Sequence, residues 1–307
     1  MLQTTITIFS LQITLMLMIL AGTLGQHLGI ITEGFRNGLS SFLMNLILPC
    51  SILGAFTKEI GGNVWAQSAQ ILLVMVGVHI FYILLGILVG RAFPEKQRAV
   101  AKFAILCPNT NFMGMPVISG IYGDIGVLLL SVALFPVRAF VLTVGISYFV
   151  IGQSKHWVLR LLKNPAVWAV IVGILVMVLG FQLPAPIEKA ITSLGSCTTP
   201  LSMILIGGVV SNLKFEMLKD KRVWGFCLLR LVLIPLLLLA LLDCLPLDPT
   251  AAGVAVMMSA LPAGAMTVIY TKEYGGDENF SAACVIFSTV LSIVTIPLIN
   301  LACTLLL

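Results

Sequence analysis

The sequence reads CPNTNFMGMP over residues 107–116 and SALPAGAMT over residues 259–267. Both stretches lie within long apolar runs, although they contain Pro108, Pro116 and Pro262. A proline removes a backbone donor and clashes with the preceding turn, so it ends or kinks a helix. Inside a bilayer, an interrupted helix is tolerated only where protein or a water-filled cavity surrounds the freed backbone groups. We therefore predict that these prolines break two helices in the interior of the protein.

The composition is typical of a membrane protein. Hydrophobic residues make up 59% and charged residues 9% of the 307 positions, and the mean hydropathy is +1.11. Soluble domains carry about 25% charged residues, so the composition excludes a soluble enzyme. The net charge of +5 comes from short basic clusters between apolar runs. Such clusters are typical of cytoplasmic loops and argue against a nucleic-acid partner.

Ten apolar segments are long enough to cross the lipid bilayer, which takes about 20 helical residues. They cover residues 7–31, 37–57, 64–90, 99–121, 125–152, 165–183, 188–211, 223–245, 250–271 and 279–306. The first segment has no signal-peptide cleavage site, so we expect it to be retained as a helix. The predicted fold is an all-α membrane protein with ten transmembrane helices.

The basic residues predict the orientation of these helices. If the N-terminus is outside and ten helices alternate, 13 of the 17 Lys and Arg residues lie in cytoplasmic loops. They are Arg36, Arg91, Lys96, Arg98, Lys102, Lys155, Arg160, Lys163, Lys214, Lys219, Lys221, Arg222 and Lys272. Only Lys58 and Lys189 lie in external loops, and Arg138 and Arg230 lie within helices. Because Lys and Arg are enriched in cytoplasmic loops, we expect both termini to be non-cytoplasmic, in a multi-pass protein of the plasma or inner membrane.

A weak repeat relates the two halves of the chain. LPCS at residues 48–51 recurs as TPLS at residues 199–202. In addition, Pro108 and Pro262 each begin a stretch that ends in a Gly-Asp pair, and the aspartate follows the proline by 16 residues in the first half and by 15 in the second. We predict a five-helix repeat over residues 1–152, a short cytoplasmic linker over residues 153–164 and a second five-helix repeat over residues 165–307. Because five is odd, the two repeats are inverted, which is an architecture of secondary transporters.

Paired interrupted helices in corresponding positions of two halves indicate a binding site near the bilayer midplane. A broken helix exposes N–H groups with a positive partial charge, which suits a carboxylate. The side chains of Asn109, Thr110 and Asn111 can add donors. The alternative is that the prolines only kink helices whose small residues pack closely against neighbours. Because two matched helices are interrupted, we favour the binding site.

Polar residues inside the other spans are further candidates. Arg138 lies near the middle of the fifth span, where it needs a partner or a wet cavity. It is either a countercharge for an anionic substrate or a structural arginine bonded to broken-helix carbonyls. Arg230 lies nearer a cytoplasmic end, so we expect its side chain to reach the interface. His79 is either a proton shuttle or, as we favour, a neutral core histidine. Asn45 and Ser202 lie in matching zones of the second and seventh spans, where they either line the binding site or pack helices.

The run from Asn109 to Pro116 resembles the fourth-helix motif of the auxin efflux carrier family, whose bacterial members include proposed malate and malonate permeases. The resemblance covers essentially the whole chain. It implies a fold similar to that of bile-acid symporters and sodium–proton antiporters. In that fold, helices four and nine cross at the substrate site of a mobile domain, and the first, second, sixth and seventh helices form a scaffold. A homodimer through the scaffold is also implied.

The resemblance also implies a set of substrate-binding residues. These are Asn109, Thr110, Asn111, Gly114, Pro262 and Gly264. The connection over residues 153–164 is about a dozen residues, whereas the plant carriers have a long hydrophilic loop there. Auxin is therefore a poor candidate for the substrate.

We expect a secondary transporter that carries a small organic anion of the carboxylate class by alternating access. The alternatives are a sodium- or proton-coupled carrier of a neutral or cationic solute and, less favoured, a passive channel. The sequence has no Walker-type loop, His-Glu-x-x-His box or Gly-x-Ser-x-Gly elbow, and its seven cysteines are scattered singly. We therefore expect no catalysis, no cofactor and no metal site.

Overall fold

The computed structural model describes residues 2–57, 63–149, 162, 165–211 and 219–307, and the side chains of all of these except residues 2–9, 11 and 12. The predicted linker over residues 153–164 therefore lies outside the described residues, apart from Leu162. Five of the basic loop residues that predict the orientation also lie outside them. These are Lys58, Lys155, Arg160, Lys163 and Lys214.

The described part of the chain is helical and forms no strand. Its α-helices are α1 (Leu2–His27), α2 (Glu33–Phe42), α3 (Leu48–Phe56), α4 (Val64–Gly90), α5 (Glu95–Leu106), α6 (Met115–Phe140), α7 (Pro165–Leu179), α8 (Ala185–Ser196), α9 (Thr198–Val210), α10 (Lys221–Leu228), α11 (Ile234–Asp243), α12 (Pro249–Ala260), α13 (Met266–Tyr274) and α14 (Glu278–Leu306). Short π-helical segments occupy Leu43–Ile47, Thr110–Gly114, Val141–Gly145 and Leu229–Leu233. The prediction of an all-α protein is confirmed.

Six helical stretches in the described residues are long and apolar enough to cross a membrane. They are Glu33–Phe56, Val64–Gly90, Thr110–Gly145, Ala185–Val210, Lys221–Asp243 and Glu278–Leu306. Shorter apolar helices cover Ile13–His27, Pro165–Leu179 and Pro249–Ala260. Many large apolar side chains of α4 are exposed, among them Leu73, Leu84 and Leu88, as expected where a helix faces lipid. These helices indicate a multi-pass membrane protein, while the count of ten spans and their inverted pairing stay predictions.

Capping residues and glycines set several helix ends. Asp220, Asp248 and Asp277 each accept a hydrogen bond from a backbone N–H in the first turn of α10, α12 and α14, which satisfies a donor that the helix leaves unpaired. At the other end of α13, Gly275 and Gly276 have φ of 90° and 143°, which L side chains rarely adopt. The predicted Gly-Asp ending of that span therefore forms a turn followed by a new helix.

Gly123 interrupts α6 at the position where the sequence predicts the end of the fourth span. Its φ is 62° and its ψ is −146°, a conformation that is essentially restricted to glycine. Pro116 was predicted to break a helix, and that prediction is wrong. It is the second residue of α6 and follows the π-helical segment Thr110–Gly114, a position near a helix start where the missing proline N–H does little harm.

The chain divides into two compact units, and each unit takes segments from both halves of the sequence. The first unit comprises Met1–Ser68, Asn111–Val132 and Leu162–Asn212. Within it, α1 packs against α9 and α3 packs against α7 and α8. The approach of α1 to α9 is close because Gly22 and Gly207 lie at the contact, and the Thr23 hydroxyl donates to the Gly207 carbonyl at 3.0 Å.

The second unit comprises Ala69–Thr110, Ala133–Leu161 and Leu213–Leu307. Its α14 packs against α5, α10, α12 and α13. Fifteen of its residues between Phe280 and Cys303, among them Cys284 and Ser288, lie buried in this core. Asp277, which caps α14, also accepts a hydrogen bond from the Gln97 amide of α5 at 3.0 Å. The start of α14 is thereby tied to the start of α5.

Candidate functional site

The first break in a helix follows α5. Cys107 leaves helical geometry, with φ of −110° and ψ of 85°, and helical structure resumes at Thr110. Pro108 has no N–H to continue the helix, and the N–H of Asn109 donates outside it, to the Pro262 carbonyl at 2.9 Å. The chain therefore runs extended for three residues inside the second unit.

The second break follows α12. Leu261 is extended, with φ of −65° and ψ of 146°, and α13 begins at Met266. The N–H of Gly264 donates to the Cys107 carbonyl at 2.8 Å, and that of Ala263 donates to the Ser288 hydroxyl at 3.1 Å. Residues 261–265, which connect α12 to α13, thus bond both to the first break and to α14.

The two broken segments lie side by side, and we call residues 107–109 and 261–265 the paired break. Pro108 and Ala263 form an isolated antiparallel bridge between them. A Cβ atom on Gly264 would lie 3.0 Å from the Cys107 carbonyl oxygen and 3.2 Å from the Pro108 carbonyl oxygen. Glycine at this position therefore allows the two backbones to approach within hydrogen-bonding distance.

The structure brings some of the predicted substrate-binding residues to the paired break. Asn109 and Thr110 are buried in the second unit, with 6% and 4% of their surface exposed, and Pro262 and Gly264 are buried opposite them. Two others fall in the first unit. These are Asn111, which is half-buried, and Gly114, which is buried.

Arg138 lies close to the paired break. It is half-buried in the last part of α6, and it lies near enough to Cys107 and Tyr270 to interact electrostatically with both. All three residues belong to the second unit. The structure therefore leaves both interpretations of Arg138 in place, as a countercharge for an anion and as a structural arginine.

Arg230 does not extend to the membrane interface, so that prediction is wrong. The side chain is fully buried, and its Nη1 atom donates to the Ile105 carbonyl of α5 at 3.1 Å. The guanidinium also lies 5.4 Å from the centre of the Tyr82 ring, a distance at which a cation is attracted to an aromatic face. Arg230 therefore bonds to a carbonyl near the end of a broken helix. This is the structural role that the sequence suggests as one alternative for Arg138.

His79 is a core residue of the second unit. It is fully buried, its Nδ1 atom lies 2.7 Å from the Met75 carbonyl, and its ring stacks on Phe140 with centroids 5.2 Å apart. A carbonyl oxygen can only accept, so Nδ1 carries the proton. This arrangement favours a neutral core histidine over a proton shuttle.

A polar cavity of about 200 Å³ lies within the first unit, between α3, α8, the start of α9 and the first half of α6. Its lining includes the Asp124 carboxylate and six hydroxyl groups. These belong to Ser51, Ser119, Thr192, Ser196, Thr198 and Thr199. Thr198 is 2% exposed and its hydroxyl has no hydrogen-bond partner among the described residues.

Asn45 and Ser202 do not line this polar cavity. Asn45 is exposed and donates to the carbonyl and hydroxyl oxygens of Ser41. Ser202 is fully buried and donates to the Thr198 carbonyl of its own helix at 2.6 Å. Both polar groups are engaged locally, so the described geometry agrees better with helix packing than with substrate binding.

A model of the membrane transport protein family matches residues 7–156 and 149–300. The chain belongs to this family. The resemblance to the auxin efflux carriers is thereby confirmed, and the chain is a membrane transporter of the same family.

This transporter is similar to two archaeal proteins and one plant protein. An uncharacterized transporter of Methanocaldococcus jannaschii is 25% identical over 298 residues, which cover 92% of this chain and 94% of the relative. An uncharacterized transporter of Methanothermobacter thermautotrophicus is 23% identical over 309 residues, covering 93% and 95%. Auxin efflux carrier component 8 of Arabidopsis thaliana is 30% identical over 146 residues, covering 46% of this chain and 40% of the plant protein.

Two features of this transporter were missed by reasoning from the sequence. Asp124 stands out in the sequence only as the end of a repeated Gly-Asp pair, whereas in the structure it lines the polar cavity. Arg230 lies eight residues after the charged start of its span, and that proximity suggested an interfacial side chain. Its neighbours are apolar on every side of the helix, so no hydrophobic face indicated that the side chain points inward.

Proposed function

We propose that this transporter carries a small organic anion of the carboxylate class across the membrane by alternating access. The observation that carries the proposal is the paired break, held by the hydrogen bonds from Asn109 to Pro262 and from Gly264 to Cys107. Helical structure resumes after each break, at Thr110 and Met266. The N-terminal end of a helix has a positive partial charge and favours anions, so two such ends beside extended backbone suit a carboxylate.

The side chains around the paired break support the same charge preference. Asn109 and Thr110 bring an amide and a hydroxyl, which can both donate hydrogen bonds, and Arg138 brings a positive charge near Cys107. A bound carboxylate would compensate the cost of placing an arginine inside a span. In this mechanism the substrate binds at the paired break, and the second unit changes its exposure from one side of the membrane to the other.

A second candidate function is supported by the polar cavity. Among the described residues, the lining of this cavity includes one acidic residue, six hydroxyl-bearing residues and no basic residue. Such a lining suits a solute that donates hydrogen bonds or carries a positive charge. Asp124 would be the group that attracts such a solute. This second candidate is a carrier of a neutral or cationic solute, coupled to sodium or to protons.

A thermal-shift screen of the purified transporter separates the two candidates. A ligand that binds only the native state stabilises it by about 2.7 kcal/mol at a hundred times its Kd. We expect malate, malonate or succinate to raise the melting temperature in a saturable manner, whereas choline, polyols and neutral amino acids leave it unchanged. The opposite ranking would overturn the anion proposal and favour the second candidate.

Two asparagine variants locate the binding site. We expect Asn109→Ala to weaken the stabilisation by carboxylates, because Asn109 lies at the paired break. Asn45→Ala is the matched control, since Asn45 is exposed and bonds only to Ser41 among the described residues. If a cationic solute is the ligand, Asp124→Asn should remove its effect instead. Counterflow of labelled substrate in proteoliposomes then distinguishes a carrier from a passive channel, which shows no counterflow.

A further inference from the structure

Arg230 carries a positive charge to the broken end of α5. We infer that this guanidinium takes the place that a coupling sodium ion would occupy beside the paired break, so that the carrier binds and transports its substrate without sodium. The inference rests on the proposed carrier function and extends it to the coupling ion. It assigns Arg230 as a positioning residue, which acts on the substrate site through the carbonyl it holds.

The bond that Arg230 makes follows from the break itself. In a continuous α-helix the Ile105 carbonyl would accept from the N–H four residues later, which belongs to Asn109. That N–H donates instead to the Pro262 carbonyl. The Nη1 atom of Arg230 donates to the Ile105 carbonyl in its place, at 3.1 Å. Arg230 therefore satisfies an acceptor that exists only because the helix is broken.

The end of α5 needs a positive charge for electrostatic reasons. The C-terminal end of a helix has a negative partial charge, which cations stabilise. In secondary transporters with interrupted helices, such ends and the unwound carbonyls beside them commonly bind sodium or protons. Arg230 is permanently charged and fixed in the chain, so it supplies this charge in every step of the transport cycle.

Among the described residues, Arg230 makes no hydrogen bond to an acidic side chain. Its Nε and Nη2 atoms have no hydrogen-bond partner among the described residues, and the same holds for the Tyr82 hydroxyl and the His79 Nε2 atom nearby. A buried charge is normally paired. Within the described residues, the positive charge of Arg230 is stabilised by the Ile105 carbonyl and the Tyr82 ring. The guanidinium therefore acts on the backbone at the end of α5.

The wild-type protein provides the first test. The melting temperature of the purified transporter is measured in sodium chloride and in choline chloride at equal ionic strength, and binding of radioactive sodium is measured in parallel. We expect equal melting temperatures and no saturable sodium binding. A saturable, sodium-specific rise in melting temperature would overturn the inference. This test needs no substrate, so its outcome is independent of the carboxylate screen that tests the proposed function.

Variants at Arg230 provide the second test. Arg230→Gln removes the charge but keeps amide donors, Arg230→Lys keeps the charge, and Arg222→Gln, at an exposed position near the start of α10, is the matched control. We expect Arg230→Gln to lose substrate counterflow and to gain stabilisation by sodium, while Arg230→Lys retains part of the wild-type behaviour and Arg222→Gln retains all of it. Counterflow by Arg230→Gln that equals the wild type, with no response to sodium, would contradict the inference. If Arg230→Gln does not fold, the wild-type sodium measurements still decide.

Discussion

Arg138 and Arg230 have different exposure within the second unit, and this difference separates their roles. Arg138 is half-buried and lies near Cys107 and Tyr270, whereas Arg230 is fully buried and bonded to the Ile105 carbonyl. A substrate can reach a charge only where part of its side chain is accessible. The countercharge role therefore stays a proposal for Arg138, and the positioning role is the one that we propose for Arg230.

We predict that Arg138→Gln abolishes anion uptake and leaves a folded protein. Removing one partner of a buried, hydrogen-bonded charge pair costs about 2–5 kcal/mol, so the affinity for labelled malonate should fall at least about thirtyfold. Counterflow in proteoliposomes measures the loss, and the melting temperature in detergent reports folding. Arg138→Lys, which keeps the charge, should retain measurable uptake. Unchanged transport kinetics in Arg138→Gln would remove the countercharge role.

Gly264 controls how closely the two backbones of the paired break approach. We predict that Gly264→Ala slows counterflow and lowers stability by about 1–3 kcal/mol, the usual cost of forcing extra volume into a packed site. The added Cβ would lie 3.0 Å from the Cys107 carbonyl oxygen and 3.1 Å from the Cys107 sulfur, so the two segments have to move apart. Melting temperature and counterflow rate are the measurements.

Gly225→Ala is the matched control for this substitution, because Gly225 lies in α10 of the same unit and an added Cβ there meets no atom of the described residues within 4 Å. It should leave transport unchanged. Equal behaviour of the two variants would show that the spacing of the paired break does not matter for transport.

At the scale of helices, the contact between α1 and α9 depends on glycine. A Cβ on Gly207 would collide with the Ile19 carbonyl and lie 2.7 Å from the Thr23 nitrogen, and a Cβ on Gly22 would collide with the Ile204 carbonyl. These neighbours are backbone atoms, which cannot move aside as a flexible side chain can. Small residues let membrane helices approach closely enough to gain van der Waals contact.

We therefore predict that Gly207→Ala destabilises the protein by about 1–3 kcal/mol. Gly38→Ala, in α2 of the same unit, should be neutral or stabilising, because its Cβ would meet no atom within 4 Å and alanine favours a helix over glycine by about 1 kcal/mol. Thermal unfolding of both variants in the same detergent measures the difference. A melting temperature for Gly207→Ala at or above that of Gly38→Ala would contradict the close contact.

The helices show which features a sequence can predict. The sequence predicted the helix ends at Gly123 and Gly275 and the interruptions at Pro108 and Pro262. Glycine and proline change the backbone conformation at their own positions, so their effect does not depend on the rest of the fold. The π-helical segments were not predicted, since their sequences share no feature that distinguishes a π-helix from an α-helix. The burial of Arg230 was missed because a helix that is apolar all round has no hydrophobic face to show which way a given residue points.

At the scale of the whole molecule, the two units do not follow the order of the chain. The first unit contains the first, second, sixth and seventh predicted spans together with Asn111–Val132, and the family resemblance assigns those four spans to a scaffold. A repeat is defined by similarity between two consecutive halves of the sequence. A compact unit is defined by which segments pack together in space, wherever they lie in the chain. Repeats over residues 1–152 and 165–307 can therefore coexist with units that each draw on both halves, and the inverted repeat stays a prediction.

The basic residues predict how the whole molecule is oriented in the membrane. Thirteen of the 17 basic residues fall in loops on one side if ten helices alternate, and that side is the cytoplasm by the positive-inside rule. We expect alkaline phosphatase fused to the C-terminus to be active in a bacterial host and a green fluorescent protein fused there to be dark, because the first folds only outside and the second only inside the cytoplasm. Either reporter inserted after Ala92, between α4 and α5, should give the reverse pattern, since Arg91, Lys96 and Arg98 surround that loop. If the C-terminal fusion were fluorescent and inactive as a phosphatase, both fusion points would lie in the cytoplasm. An even number of helices would then separate them, and the count of ten spans would be wrong.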